Sequence, residues 1–104
     1  MNPPANDRRE RLRVTLSKHA LEATARRGIE RSDLEGAVRS PDEVYVDVRT
    51  GYLVAVKAVG RRCLIVVYER RGRDEVEVVT AFTTSKGLKL ARSREKRGRW
   101  IRVK

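Results

Sequence analysis

Between Tyr52 and Phe82 the apolar positions fall into three runs of seven or eight residues, Tyr52–Val59, Cys63–Glu69 and Glu75–Phe82. Each is rich in β-branched or aromatic residues. Gly60-Arg61-Arg62 separates the first two, and Arg70-Arg71-Gly72-Arg73-Asp74 separates the last two. Apolar runs broken by glycine- and charge-bearing turns predict an antiparallel meander. Just before it, Val44, Val46 and Val48 alternate with Tyr45 and Asp47, the period of a half-buried strand. Further upstream the spacing becomes helical. Ser17 offers an N-cap for a helix over Lys18–Arg27, with Ala20, Leu21, Thr24 and Ala25 on one packing face. Gly28 suits a left-handed stop, over which Ile29 folds back. Ser32 and Glu35 form a capping-box pattern opening a second helix, with Leu34, Ala37 and Val38 buried and Pro41 marking its end.

With Arg13–Leu16 as a short edge strand, the expected order is β-α-α-β-β-β-β. The fold class is α+β: an N-terminal αα-hairpin on a four- to five-stranded antiparallel sheet, followed by a short C-terminal helix or basic tail. Leu88, Leu90 and Ala91 would begin that helix, with Thr84 or Ser85 as its cap. The chain divides into a flexible start (1–12), the α+β domain (13–86) and a basic C-terminal segment (87–104). An antiparallel sheet needs only one dry face. Val76, Val78, Thr80 and Phe82 are expected to meet the helices together with Tyr52, Val54, Val56 and Ala58, leaving Lys57 on an uncovered face.

Composition adds a charge asymmetry. The 104 residues carry a formal net charge of +11. Residues 19–84 hold eleven basic and eleven acidic side chains, whereas residues 85–104 hold nine basic ones against Glu95 alone. A field concentrated in one terminal segment points to a polyanion; a solubilising tail is the bland alternative. One cysteine, Cys63, excludes an internal disulfide and a thiolate metal site, and suits a small core filler. No apolar run approaches the ~20 residues that cross a bilayer, and the start lacks a signal-peptide pattern, so a cytoplasmic protein is expected. The absence of glutamine and the abundance of Arg, Glu and Val fit a thermophile. No metal or other cofactor is expected.

His19 is the only side chain whose ordinary pKa lies near neutrality, and it sits in the first turn of a helix, where the dipole favours a neutral imidazole. A surface or packing role is the alternative. Lys57 interrupts an apolar strand and suits a phosphate or simple solvent exposure. Thr80, with Thr83, Thr84, Ser85 and Lys86, offers hydroxyls for a phosphate oxygen or for a helix cap. Arg61 and Arg62 decorate a hairpin turn, where they contact phosphates or solvate the loop. Lys86, Lys89, Arg92, Arg94, Lys96, Arg97 and Arg99 complete the candidate nucleic-acid surface, and Trp100, like Tyr45 and Tyr68, is a stacking platform or a core residue.

The strings Ser17-Lys18-His19-Ala20, Arg27-Gly28-Ile29, Pro41-Asp42-Glu43-Val44-Tyr45, Val66-Val67-Tyr68 and Val78-Val79-Thr80-Ala81-Phe82 resemble the outline of an uncharacterised prokaryotic family of small domains. That family is similar to the RelE/ParE/BrnT toxins, within the barnase–EndoU–colicin–RelE group of metal-independent ribonucleases. The resemblance implies a RelE-like fold with a substrate groove on the open face of the sheet. It also implies attack of an RNA 2′-hydroxyl on the adjacent phosphate, with His19 as acid/base and Lys57, Arg27 and Thr80 around the phosphate. Ala23 stands where relatives often carry an arginine. The implied partners are RNA or the ribosome and a small acidic antitoxin, with no membrane; a homodimer is left open. A non-catalytic nucleic-acid or ribosome binder of the same fold is the alternative, and a toxin-like protein-interaction module is the third reading.

Overall fold

The computed structural model describes residues 11–104, so most of the segment expected to be flexible, residues 1–10, lies outside the described residues. The elements run β1 (Arg13–Leu16), α1 (Lys18–Arg27), α2 (Arg31–Arg39), β2 (Glu43–Asp47), β3 (Leu53–Val59), β4 (Arg62–Gly72), β5 (Glu75–Thr84), α3 (Gly87–Lys96) and β6 (Trp100–Arg102). The strands form one open sheet in the order β1-β5-β4-β3-β2-β6. β1 pairs with β5 in parallel and every other pair is antiparallel. The α+β class and the meander are as expected. The sheet, however, is mixed and has six strands rather than four or five, because the C-terminal segment returns as β6. No helix among the described residues is long and apolar enough to cross a membrane.

Local signals set α1 as the sequence predicts. The Ser17 hydroxyl accepts from the Ala20 N–H at 3.0 Å. Gly28 closes the helix at φ 66°, where a side chain would be strained, and the Ile29 N–H returns to the Thr24 carbonyl at 2.9 Å. The packing face differs: Ala20, Ala23 and Thr24 are buried, while Leu21 is 53% exposed. At α2 the capping box does not form. The helix starts two residues earlier, with Glu30 rather than Ser32 as an N-cap, and Glu30 makes no side-chain bond. Glu35 instead binds Arg31 at 3.1 Å and Arg39 at 2.7 Å.

Each face of the sheet carries its own core. On the hairpin side Leu34 and Ala37 of α2 pack on Val14, Ala55, Leu64, Val66, Tyr68, Val76, Val78 and Ala81 of the strands. On the opposite face Tyr45, Val54, Val56 and Ile65 pack with Ala91 of α3 and Trp100 of β6. The expected uncovered face is therefore filled by the chain's own C-terminal segment. The strand faces are corrected too. Leu53 and Ala55, not Val54 and Val56, meet the αα-hairpin, so Lys57 lies on the hairpin side. In β5 the register slips between Val67 and Tyr68, whose partners are Thr80 and Val78. The extra residue, Val79, is a β-bulge that inverts the alternation beyond it. Val76 and Val78 face the hairpin, then Ala81 does, and Phe82 turns to the other core.

Gly87 is the point of closest approach between α3 and β4: a Cβ there would collide with Cβ and Sγ of Cys63. Cys63 is thus a packing residue at a helix–strand contact, as expected of a small core filler. Lys86, rather than Thr84 or Ser85, occupies the N-cap of α3 and makes no side-chain cap bond. The Thr84 hydroxyl accepts from the Lys86 N–H at 3.0 Å, closing the turn ahead of the helix.

Candidate functional site

α1 and α2 cover the middle of their face and leave both ends open. At the end where β3 turns into β4 lies a cleft of about 220 Å³ lined by Arg27, Gly28, Ile29, Asp33, Val59, Arg62, Leu64 and Thr83. Its floor follows from strand parity: Val59, Leu64 and Thr83 point to the hairpin side just beyond the last helical cover. Its wall is the α1–α2 turn, which the left-handed Gly28 directs over the sheet.

Arg27 reaches the edge of β5 past the end of β1, whose pairing stops at Leu16 with Val78. There its Nη1 donates to the Ala81 carbonyl at 2.7 Å and to Thr80 Oγ1 at 3.4 Å. One role of Arg27 is structural, since the Ala81 carbonyl has no strand partner on that side. Arg62 is exposed, and no ion pair or hydrogen bond engages its guanidinium among the described residues. Thr83 adds a hydroxyl, and Asp33 adds the cleft's one carboxylate.

Of the four residues proposed for catalysis, the fold joins Arg27 and Thr80. His19 is exposed on α1, eight residues before Arg27, about 12 Å along the helix axis, and outside the lining of the cleft. Lys57 lies beside Val59 on the hairpin face, yet its Nζ is 3.8 Å from Asp42 Oδ1, and Asp42 Oδ2 accepts from the Ala58 N–H at 2.8 Å. The four groups do not converge.

The candidate nucleic-acid surface separates into two sets. Arg92 Nη2 binds Glu43 Oε2 at 2.8 Å, and its Nη1 donates to the Tyr45 hydroxyl at 2.6 Å. The Tyr45 hydroxyl donates to Glu43 Oε1 at 2.6 Å, and Arg102 Nη2 stands 3.4 Å from Glu43 Oε2. Arg99 Nε lies 3.4 Å from Asp47 Oδ1. The hydrogen bond from Arg92 holds the Glu43 carboxyl below its ordinary value despite burial. Burial and then the neighbouring Glu43 carboxylate raise the Tyr45 phenol. Burial of Asp47 works toward a higher value, but the N–H of Arg49 and the charge of Arg99 outweigh it and lower the carboxyl. Trp100 is buried, with its ring centroid 5.5 Å from that of Tyr45. It anchors the core and offers no stacking surface; Tyr45 and Tyr68 are buried as well. Arg61, Arg62, Lys86, Lys89, Arg94, Lys96 and Arg97 form no ion pair among the described residues.

Reasoning from the sequence misses Glu43 and Asp47 as partners of these arginines. A signal for them is nevertheless present: Glu43, Tyr45 and Asp47 alternate along one strand and so share one face, which places two carboxylates beside a buried tyrosine.

Searches of curated proteins and of solved structures give no significant match. Residues 16–83 match a family described as a domain of unknown function, DUF4258, and span β1's last residue, the αα-hairpin, β2 to β4 and most of β5. The chain belongs to that family.

Proposed function

We propose that this chain is a RelE-like domain that binds the phosphate backbone of RNA, free or within the ribosome, at the β3–β4 end of its sheet. The observation that carries the reading is the exposed Arg62 guanidinium without an acidic partner, lining one cleft with Arg27 and Thr83. Arginine forks suit phosphate oxygens, and Arg61 and Lys86 on the adjoining turns extend the positive field. An αα-hairpin on one face of an antiparallel meander supports the RelE-like outline. The filled opposite face departs from the groove which that outline implies, and moves the binding surface to the end of the sheet.

The test is fluorescence anisotropy with a labelled RNA oligonucleotide across a salt series. Binding should weaken steeply with salt, and Arg62→Glu should weaken it at least about tenfold. Salt-independent binding, or an Arg62→Glu variant as tight as the parent, contradicts the proposal.

The second reading is metal-independent RNA cleavage with His19 as acid/base. It is favoured by the exposed imidazole of His19, which no described group engages. The same RNA incubated in a chelator distinguishes the two readings. Cleavage lost in His19→Ala supports the enzyme, and intact RNA that still binds supports the binder.

A further inference from the structure

The two edges of the sheet are finished differently. At the β1 edge, Arg31 Nη2 donates to the Val14 carbonyl at 2.5 Å and Arg39 Nη2 to the Leu12 carbonyl at 2.9 Å, so arginines from α2 occupy the backbone acceptors that another strand would need. At the β6 edge nothing comparable stands among the described residues. Arg99 bonds to Val48, just past β2, and Val103 to Val44 within it, which by antiparallel alternation turns the backbone groups of Trp100 and Arg102 away from the sheet. An edge of this kind is a template for one more strand.

The side chains along it sort by face. Trp100 and Arg102 point to the α3 side, where they meet Tyr45 and Glu43. Ile101 and Val103 point to the hairpin side and are 56% and 55% exposed. Val103 also closes one end of an apolar trough of about 410 Å³ that runs across the sheet over Val44, Leu53 and Tyr68 to Val76. Residues 96–104 hold five basic side chains and no acidic one; Arg99 and Arg102 are engaged by Asp47 and Glu43, while Lys96, Arg97 and Lys104 form no ion pair among the described residues and are exposed. Pairing with a second copy of this edge would set like charges opposite each other, a destabilising arrangement, whereas an acidic strand would be attracted.

We propose that β6 is a docking edge for an extended acidic segment of another protein. The segment adds as a seventh strand, lays alternate apolar side chains over Ile101 and Val103 toward the trough, and brings carboxylates to the flanking cations. The inference is independent of the RNA cleft, which lies at the other end of the hairpin face.

The probe is a fluorescein-labelled ten-residue peptide of alternating Leu and Glu, with Ser-Glu and Leu-Lys peptides of equal length as controls. The Leu-Glu peptide should bind, and each control should bind at least about tenfold more weakly. Two N-methylated forms, each blocking one alternate set of N–H groups, separate strand addition from charge and greasiness: one should lose binding at least about tenfold and the other keep it. Ile101→Glu, at an exposed position and with its fold checked by circular dichroism, should weaken binding of the Leu-Glu peptide. The proposal is overturned if the Leu-Glu peptide fails to bind, if the Ser-Glu peptide matches it, if the N-methylated pair shows anything but a one-sided loss, or if Ile101→Glu binds as the parent does.

Discussion

Arg92, Arg99 and Arg102 in the C-terminal segment and Arg61 and Arg62 in the β3–β4 turn contribute alike to the net charge of +11, yet they stand in opposite situations. The first three close on Glu43 and Asp47 and fasten α3 and β6 to β2. The other two meet no carboxylate among the described residues, and one of them lines an open cleft. Formal charge is therefore a poor measure of the charge available to a ligand. The segment with the largest sequence excess has three arginines engaged internally, while the nominally neutral body presents free ones. Deleting the basic C-terminal segment would also remove Ala91 and Trp100 from the second core, so point substitutions are the cleaner probe of where RNA binds.

The contrast breaks first if α3 is not firmly docked. Gly87→Ala places a Cβ against Cys63, with the Cys63 backbone close behind. Overpacking of that kind should cost about 2–3 kcal/mol, read as a lower urea midpoint at unchanged slope. A variant as stable as the parent would mean that the helix hangs loosely and that its arginines are free after all.

Glu43→Gln tests the fastening itself. The amide would keep the shape but lose the charge that Arg92 and Arg102 oppose, and the expected loss is about 2 kcal/mol. The pH dependence follows from the lowered carboxyl. A group whose pKa is lower in the folded state stabilises fully above its unfolded value, here near 4.5, and loses that contribution as pH falls through the folded value. The gap in stability between parent and variant should therefore be constant near neutrality and close in acid, below that value. A gap independent of pH down to strongly acidic conditions would assign the effect to packing.

Much of the fold is legible from the chain because the signals are local. Ser17, Gly28 and Pro41 act within a few residues of themselves, and the turns at Gly60 and Gly72 delimit the meander without reference to anything distant. Sidedness is not legible. Leu53 to Ala58 is apolar at nearly every position because β3 has a core on both faces, and a strand buried twice carries no alternation to read. In β5 the alternation exists, but Val79 inverts it midway. The candidate site divides along the same line. Arg27 and Thr80 meet at a strand edge, and Arg62 needs only its place in a turn. Lys57 depends on sidedness: it lies on the hairpin face rather than the expected uncovered one, and there it stands 3.8 Å from Asp42. Asp33 escapes a sequence reading because its contribution arises only where the α1–α2 turn overhangs the sheet.

The smallest expected effect isolates the cleft. Arg62→Ala removes a side chain that nothing in the fold uses, so its stability should stay within about 0.5 kcal/mol of the parent. In RNA binding it should reduce the slope of log K against log salt by about one, as expected when one fewer phosphate is neutralised. Arg92→Ala should do the reverse, because its guanidinium is already bonded to Glu43 and Tyr45: lower stability, unchanged slope. If both variants change the slope equally, pairing with Glu43 does not withdraw Arg92 from the ligand, and the division between fastening and free arginines fails.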